Sequence, residues 1–382
     1  MSDKLRMALV QSVDYDHWPI GGTLTYVKNI IPTIAENFIT DIWGVILKNE
    51  ENFDINIEGK EYQIKRYATV KLKKIIPNFF RTFFGMLRNA SKFKDYDIIF
   101  IHSGLELIAL KLVLRKKLPF TAYVQHGLSY RTTSNKYVKY YFTITGNLAY
   151  RIADLVFFVS DLDTYNDFVK TKSDLMRRKF NVIGSPIDFE IINKNYALEK
   201  KLQNPVKFLY TGRLSMEKQI DKTLNCFSMF YNQYKINSTL TLIGDGPLKE
   251  KLQQKVRVEG MTDKVIFLGN MEHELLVKCI CDYDIFLMSS MGEGMSLSTL
   301  EAMSGGLPVI CYNVAGMRNL ITADNGFCVE NNDENAFVKA MYACKENYKL
   351  LSKGAIETAS QYDKKAVSYT FISIILDNYY DK

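Results

Sequence analysis

The sequence predicts an α/β chain of two tandem domains, each a parallel sheet with helices on both faces. Three observations predict it. Short apolar runs alternate with helical stretches along all 382 residues, as strands and crossover helices do in parallel sheets. The length exceeds the roughly 150 residues of one typical domain. The alternation breaks once, at 184–204, where Gly-Ser-Pro, a polar segment and Asn204-Pro205 precede a new strand.

Strands are expected in the first half at 7–10, 42–47, 62–66, 98–101, 120–124, 155–159 and 180–183. Several, such as Ile-Ile-Phe-Ile at 98–101, are apolar at every position, as strands covered on both faces are. Helices are expected between them at 23–37, 79–91, 105–114, 137–151 and 161–170. The second half continues with strands at 206–210, 239–243, 265–268, 285–288 and 308–311. Its helices are expected at 218–234, 248–258, 275–281 and 297–304. Two Rossmann-like domains follow, over 1–190 and 191–363, with an apolar helix in 364–382 that is expected to pack back on the first domain. No solenoid repeat is present.

The charge is uneven. Residues 1–190 hold 27 Lys and Arg against 20 Asp and Glu, a balance of +7, whereas residues 191–382 hold 22 of each. An anionic partner is therefore expected for the first domain. The six cysteines all lie in the second half, and Cys279-Ile-Cys281 lacks the two-residue gap of a zinc or redox motif. Reduced structural thiols in a cytoplasmic protein are expected. No apolar run follows the N-terminal Met-Ser-Asp-Lys, and no 18-residue apolar stretch exists, so neither signal peptide nor spanning helix is expected.

The densest motif is Met291–Cys311, MGEGMSLSTLEAMSGGLPVIC. It reads as a glycine-flanked carboxylate, a short helix bearing a second carboxylate, a Gly-Gly stop and a Pro-led strand. A helix N-terminus there offers free N–H groups and about half a positive charge, which suits a phosphate. Glu293 and Glu301 add acceptors for hydroxyls, so the pair suits a diphosphate flanked by sugars. Glu301 also fits a capping box with Ser298, and both readings stand. Arg213 and Lys218 lie in a strand-to-helix loop, where open α/β sheets bind ligands and cations can offset a diphosphate. Gly244-Asp245-Gly246-Pro247 is a turn that could also let backbone approach a nucleotide. Gly21-Gly22 opens the helix after the first strand, and His126 ends the strand at 120–124. Asp-x-Asp, which can hold a metal at a diphosphate, occurs four times (Asp14/Asp16, Asp95/Asp97, Asp161/Asp163, Asp282/Asp284). That frequency, with most pairs at strand or helix starts, argues for structural roles.

Residues 62–94 carry nine Lys or Arg and no acid. At 100° per residue, Phe79, Phe80, Phe83, Phe84, Met86 and Leu87 share an arc, opposite Lys74, Arg81, Arg88 and Lys92. Such a helix either covers the sheet or lies on anionic lipid. Lys73, Lys74, Phe79, Phe80, Arg81, Phe83, Phe84 and Arg88 are the candidate membrane or acceptor contacts.

Taken together, Gly21-Gly22, Gly212-Arg213-Leu214 with Lys218, Gly244–Pro247, Phe267-Leu268-Gly269 and Glu293 to Glu301 resemble the retaining glycosyltransferases of family 4. The strongest match is the Glu-x7-Glu signature. Many members carry Asn at or near the position of Ser185. The resemblance implies the GT-B architecture, two Rossmann-like domains facing across a cleft, the first binding acceptor and the second the nucleotide sugar. It implies that Arg213 and Lys218 hold the donor diphosphate, Glu301 the ribose and Glu293 the sugar hydroxyls. Gly294, Met295, Ser296, Leu297 and Ser298 would meet sugar and phosphate, with Gly244 and Asn270 also at the donor. Gly21 and Gly22 would approach the diphosphate, and His126 the reacting sugar. No metal or other cofactor is implied. The expected reaction moves a sugar from a UDP-linked donor to a lipid-linked or polysaccharide hydroxyl in bacterial envelope synthesis. The expected setting is the inner membrane face, with an anionic membrane surface and no nucleic acid as partner. A nucleotide-sugar epimerase or a non-catalytic subunit of the same architecture are the alternatives.

Overall fold

The structure is a computed structural model that describes residues 4–15, 22–46, 52–70, 78–126, 136–194, 196 and 201–382. Of the residues singled out above, Gly21, Lys73, Lys74 and Asp16 lie outside these. The chain divides into two units, Met1–Val159 with Tyr165–Ile183 and Val367–Lys382, and Ser160–Thr164 with Gly184–Ala366.

The first unit is built from β1 (Arg6–Val10), α1 (Gly22–Asn37), β2 (Ile39–Ile46), β3 (Asn52–Ile57), β4 (Lys60–Thr69) and α2 (Asn78–Asn89). It continues with β5 (Ile98–Ile101), α3 (Gly104–Leu114), β6 (Phe120–His126), α4 (Lys136–Ile152), β7 (Leu155–Val159), α5 (Leu162–Lys170), α6 (Asp174–Arg177) and β8 (Phe180–Ile183). The strands lie in the order β3-β4-β2-β1-β5-β6-β7-β8, parallel except for the antiparallel β3–β4 pair. Strands β5 and β7 are buried throughout, which is why they read as unbroken apolar runs. The β3–β4 hairpin extends the expected strand at 62–66 and adds one that the sequence pattern does not predict. Its turn has Glu58 and Gly59 at φ 55° and 82°, the left-handed conformation that tight hairpins need.

The second unit follows α7 (Phe189–Asn193) with β9 (Val206–Thr211), α8 (Ile220–Tyr234), β10 (Ser238–Ile243), α9 (Lys249–Val258), β11 (Val265–Gly269) and α10 (His273–Cys279). Then come β12 (Ile285–Met288), α11 (Leu297–Ser304), β13 (Val309–Tyr312), β14 (Gly326–Val329), α12 (Glu334–Glu346) and α13 (Tyr348–Ser360). Six parallel strands run β11-β10-β9-β12-β13-β14. Edge strand β14 is not among the expected strands. Gly326 lets it pair closely, since a Cβ there would stand 2.0 Å from the Val309 carbonyl oxygen. The chain ends in α14 (Lys364–Tyr380), which belongs to the first unit from Val367 onward. Within that unit, Phe371 of α14 packs its ring against Phe157 (4.5 Å) and Phe100 (5.5 Å).

Helix α2 does not bury its whole apolar arc. Met86 and Thr82 are buried and Phe83 and Leu87 pack on the core, but Phe79, Phe80 and Phe84 remain 41%, 46% and 53% exposed. A Cβ on Gly85 would lie 2.5 Å from both the Ala68 side chain and the Tyr67 carbonyl oxygen. The helix therefore rests its backbone on β4 at this point, while Phe79, Phe80 and Phe84 keep much of their surface exposed. Gly85→Ala is expected to cost about 1–3 kcal/mol by overpacking this contact. Gly146→Ala in α4, whose nearest neighbour is 3.4 Å away, should leave stability unchanged or raise it through helix propensity. Thermal or urea unfolding of the two variants checks the contrast.

Candidate active site

At the carboxyl edge of the second sheet the loops meet backbone to backbone. Gly212 and Gly244 take φ of 147° and 139°. A Cβ on Gly244 would stand 2.0 Å from the Gly212 carbonyl oxygen, and one on Gly246 would stand 2.4 Å from that of Leu214. The Leu214 amide donates to the Asp245 carbonyl (2.9 Å) and the Leu248 amide to that of Leu214 (3.1 Å). The loop carrying Arg213 is thereby fastened to the Gly244–Pro247 turn. Side chains could not be accommodated between them.

A second clasp holds the loop before α11. Gly316, at φ 86°, would put a Cβ 2.1 Å from the Gly294 carbonyl oxygen. The Glu293 amide donates to the Ala315 carbonyl and the Met291 amide to that of Glu217, each at 2.9 Å. The Gly316 amide in turn donates to Asp161 (2.5 Å). Ser185 donates its hydroxyl to the Met295 carbonyl (2.9 Å) and is itself buried.

These two clasps bring Lys218 and Glu293 together. Lys218 Nζ donates to Glu293 Oε1 at 2.6 Å, both side chains being mostly covered. Lys218 lies on a 3₁₀ turn, Met216–Lys218, that precedes α8, rather than in the first turn of the expected helix. Its carbonyl accepts from Ser289 Oγ (2.9 Å), which ties the turn to the end of β12. Arg213 is exposed on the loop leading to that turn, and Asn270 is exposed one residue past β11.

Ser298 does not cap α11, contrary to the capping-box reading. Ser296 is the N-cap and accepts from the Thr299 amide (3.3 Å), so Ser298 is the second helical residue and Glu301 lies beyond reach of a box. Glu301, 5% exposed, instead accepts from or shares a proton with His273 Nε2 at 2.7 Å. Burial alone would lower the His273 pKa, but Glu301, with Asp188 and Glu274 nearby, raises it above the usual range. Gly294 through Ser298 thus present the N-terminal amides of α11 next to Glu293 and its Lys218 partner, the arrangement that attracts an anion.

In the first unit, Gly22 opens α1 and His126 ends β6. His126 Nε2 and His102 Nδ1 are 2.9 Å apart, and Tyr26 meets the His126 ring edge-on at 4.7 Å. The sequence pattern does not single out His102. Its one signal is its place one residue past β5, on the same sheet edge. His273 and Gly316 are missed as well, because they act through contacts 28 and 22 or 23 residues away, and the contact of Ser185, 110 residues away, is not predicted either.

Three of the Asp-x-Asp carboxylates hold backbone amides. Asp161 accepts from the Thr164 amide at the start of α5 (3.0 Å), Asp97 from the Arg6 amide (2.7 Å) and Asp284 from the Lys207 amide (2.8 Å). Among the described residues no group of three His, Cys, Asp or Glu side chains could hold a metal ion, and no helix is long and apolar enough to cross a membrane.

The fold, two Rossmann-like α/β domains, is that of the GT-B glycosyltransferases. The sucrose-phosphate synthase of Thermosynechococcus elongatus aligns over 99% of this chain and all of its own, with a TM-score of 0.82 at 15% identity. Anabaena HepE, solved in complex with UDP-glucose, aligns over 98% of this chain and all of its own, with a TM-score of 0.74 at 16% identity. Residues 193–362 match the family model of glycosyl transferases group 1. In sequence, the chain is 27% identical over 323 residues to the UDP-Gal:alpha-D-GlcNAc-diphosphoundecaprenol alpha-1,3-galactosyltransferase of Escherichia coli, covering 78% of this chain and 81% of that one.

Burial pushes the His126 imidazole down to about 4 and holds His102 well below its ordinary value, with His126 adding to the effect. Both rings fold neutral. An unfolded imidazole titrates near 6.5, so protons bind the unfolded chain preferentially. Stability present above pH 6.5 should be lost as pH falls toward 4. The check is the slope of melting temperature between about pH 6.5 and 5, above the main carboxylate range. It should be shallower in His102→Asn/His126→Gln than in the wild type.

Proposed function

We propose that the protein is a retaining, metal-independent glycosyltransferase that moves a sugar from a nucleotide donor, UDP-linked by our reading, to a hydroxyl of a lipid-linked or polysaccharide acceptor. The observation that carries the reading is the Lys218–Glu293 pair, 2.6 Å apart, beside the N-terminus of α11. A cation, a carboxylate and free helix amides in one place match the charges of a sugar diphosphate. Similarity to an Escherichia coli galactosyltransferase whose acceptor is a diphosphoundecaprenol glycan supports bacterial envelope glycan synthesis as the setting. It also supports a cytoplasmic protein working at the inner membrane face.

In this reading Arg213 and Lys218 neutralise the donor diphosphate, and Glu293 accepts from sugar hydroxyls. Glu301 accepts from the ribose hydroxyls in exchange for His273. The amides of Gly294 through Ser298 meet phosphate and sugar, with Gly244 and Asn270 at the nucleotide. Gly21 and Gly22 approach the diphosphate. Neutral His126 offers a hydrogen bond to the reacting sugar without adding a charge that would oppose an oxocarbenium-like centre. The bond from the anomeric carbon to the phosphate oxygen breaks as the acceptor oxygen bonds to the same face. The departing phosphate oxygen takes the acceptor proton. Stabilising the charge on that leaving group is the main electrostatic task. The exposed rings of α2 and its cations are assigned to the membrane or the lipid acceptor, as are Lys73 and Lys74 by their charge.

Lys218→Ala and Glu293→Ala are each expected to lower transfer ~10²-fold or more while folding normally. A chelator should leave the wild-type rate unchanged. Product formation from a UDP-sugar and a lipid-linked acceptor measures both. Undiminished transfer by either variant overturns the site, and loss of transfer on chelation overturns the metal-free mechanism.

A further inference from the structure

Beside α2, against β2 and β4, lies a cavity of about 980 Å³. The docked helix forms one of its walls. Gly85 puts the α2 backbone on β4, and Asn89 Nδ2 donates to the Tyr67 (3.1 Å) and Gly85 (2.9 Å) carbonyls. Space is left along the flank of the helix. None of the residues assigned to the nucleotide sugar lines it.

The cavity is strongly basic. Arg6 from β1, Lys65 and Arg66 from β4, Arg81 and Arg88 from α2, and Lys92 just after α2 all line it. Asp41 is the one carboxylate in the described lining, and it is already engaged. It accepts from Lys65 Nζ (2.8 Å) and from the Tyr96 hydroxyl. Burial alone would raise its pKa, yet these two partners lower it below the usual carboxylate range. It therefore stays ionised and offsets a single cation. Lys65 and Lys92 both stand 5.9 Å from the ring of buried Trp43, drawn toward the same point. The Arg81 Nε–H is buried with no hydrogen-bond partner. Buried donors are ordinarily satisfied, and like charges gathered at one place repel. An anion with several acceptor oxygens resolves both.

The rim narrows the choice of anion. Phe80 and Phe84, 46% and 53% exposed, line the same cavity. A small free anion would leave these rings in water. A phosphate carried on an apolar chain would cover rings and cations together.

We propose that this cavity binds the phosphate headgroup of an anionic lipid, its chain leaving over Phe80 and Phe84. The assignment rests on the lipid-facing role proposed for α2 and not on the transfer chemistry. The same chemistry is offered by a bilayer phospholipid and by a polyprenyl diphosphate.

The full chain is floated with three kinds of vesicle: phosphatidylcholine alone, phosphatidylcholine with phosphatidylglycerol, and phosphatidylcholine with undecaprenyl diphosphate. Wild type is expected to float with at least one of the doped vesicles and not with phosphatidylcholine alone. Which dopant retains it identifies the source of the phosphate. Arg66→Gln/Lys92→Gln should weaken that retention roughly tenfold or more. Lys116→Gln/Lys117→Gln, which removes the same charge from exposed positions outside the cavity, should weaken it less than about twofold. Phe84→Ser, at a half-exposed position on the rim, should also weaken it. The proposal is overturned if neither doped vesicle retains the wild type. It is equally overturned if the outside pair loses as much as the cavity pair, or if both cavity variants float like the wild type. Flotation uses no donor and no turnover. Its failure leaves the transferase reading standing, and loss of the transferase reading leaves flotation intact.

Discussion

The second domain depends on two places where chain passes chain with no room for a side chain. Gly244 lies under the Gly212 carbonyl and Gly316 under that of Gly294. A Cβ at these positions would stand only 2.0 and 2.1 Å from the oxygens they face, a collision that glycine alone avoids. Both glycines also hold positive φ, so any other residue there combines strain with collision. The first contact fixes the loop of Arg213. The second fixes the loop of Glu293 and the start of α11. Because both loops are fixed, two side chains 75 residues apart can meet at 2.6 Å. A carboxylate and an ammonium on free loops would lose much of that gain to side-chain and backbone ordering.

The parts of the fold that read from sequence are those where one local rule dominates. Strands covered on both faces, such as Leu155–Val159, are apolar at every residue and lie where expected. The Met291–Cys311 stretch reads as loop, helix and strand because Gly305-Gly306 and Pro308 punctuate it. The failures lie where pairing, close backbone approach or the point where a helix starts decides the outcome. Strand β3 alternates Phe53, Ile55 and Ile57 with polar residues and is held by pairing with β4. Strand β14 is four residues of an edge whose fit turns on Gly326. The docking of α2 includes Gly85 meeting Ala68, a contact that no periodicity within the helix contains. Ser298 fits a capping box by spacing, but the helix begins one residue after Ser296.

The first domain separates its polar chemistry by place. The neutral pair His102 and His126 sits past β5 and at the end of β6, packed by Tyr26. The cations gather beside α2. Desolvation governs the imidazoles, so they fold uncharged, whereas the arginines and lysines near Trp43 line an open cavity. An uncharged imidazole pair and a basic cavity are two ways of placing polar groups around one sheet.

Lys218 and Glu293 are assigned different partners within one ligand, and calorimetric titration with UDP and with a UDP-sugar separates them. Lys218→Met should weaken both ligands about tenfold or more, as loss of a charge-assisted contact to phosphate requires. Glu293→Gln should leave UDP within about twofold, the change expected where no contact is lost, and weaken the UDP-sugar alone. Equal effects of both variants on both ligands, or no binding of UDP by the wild type, would contradict that division of roles.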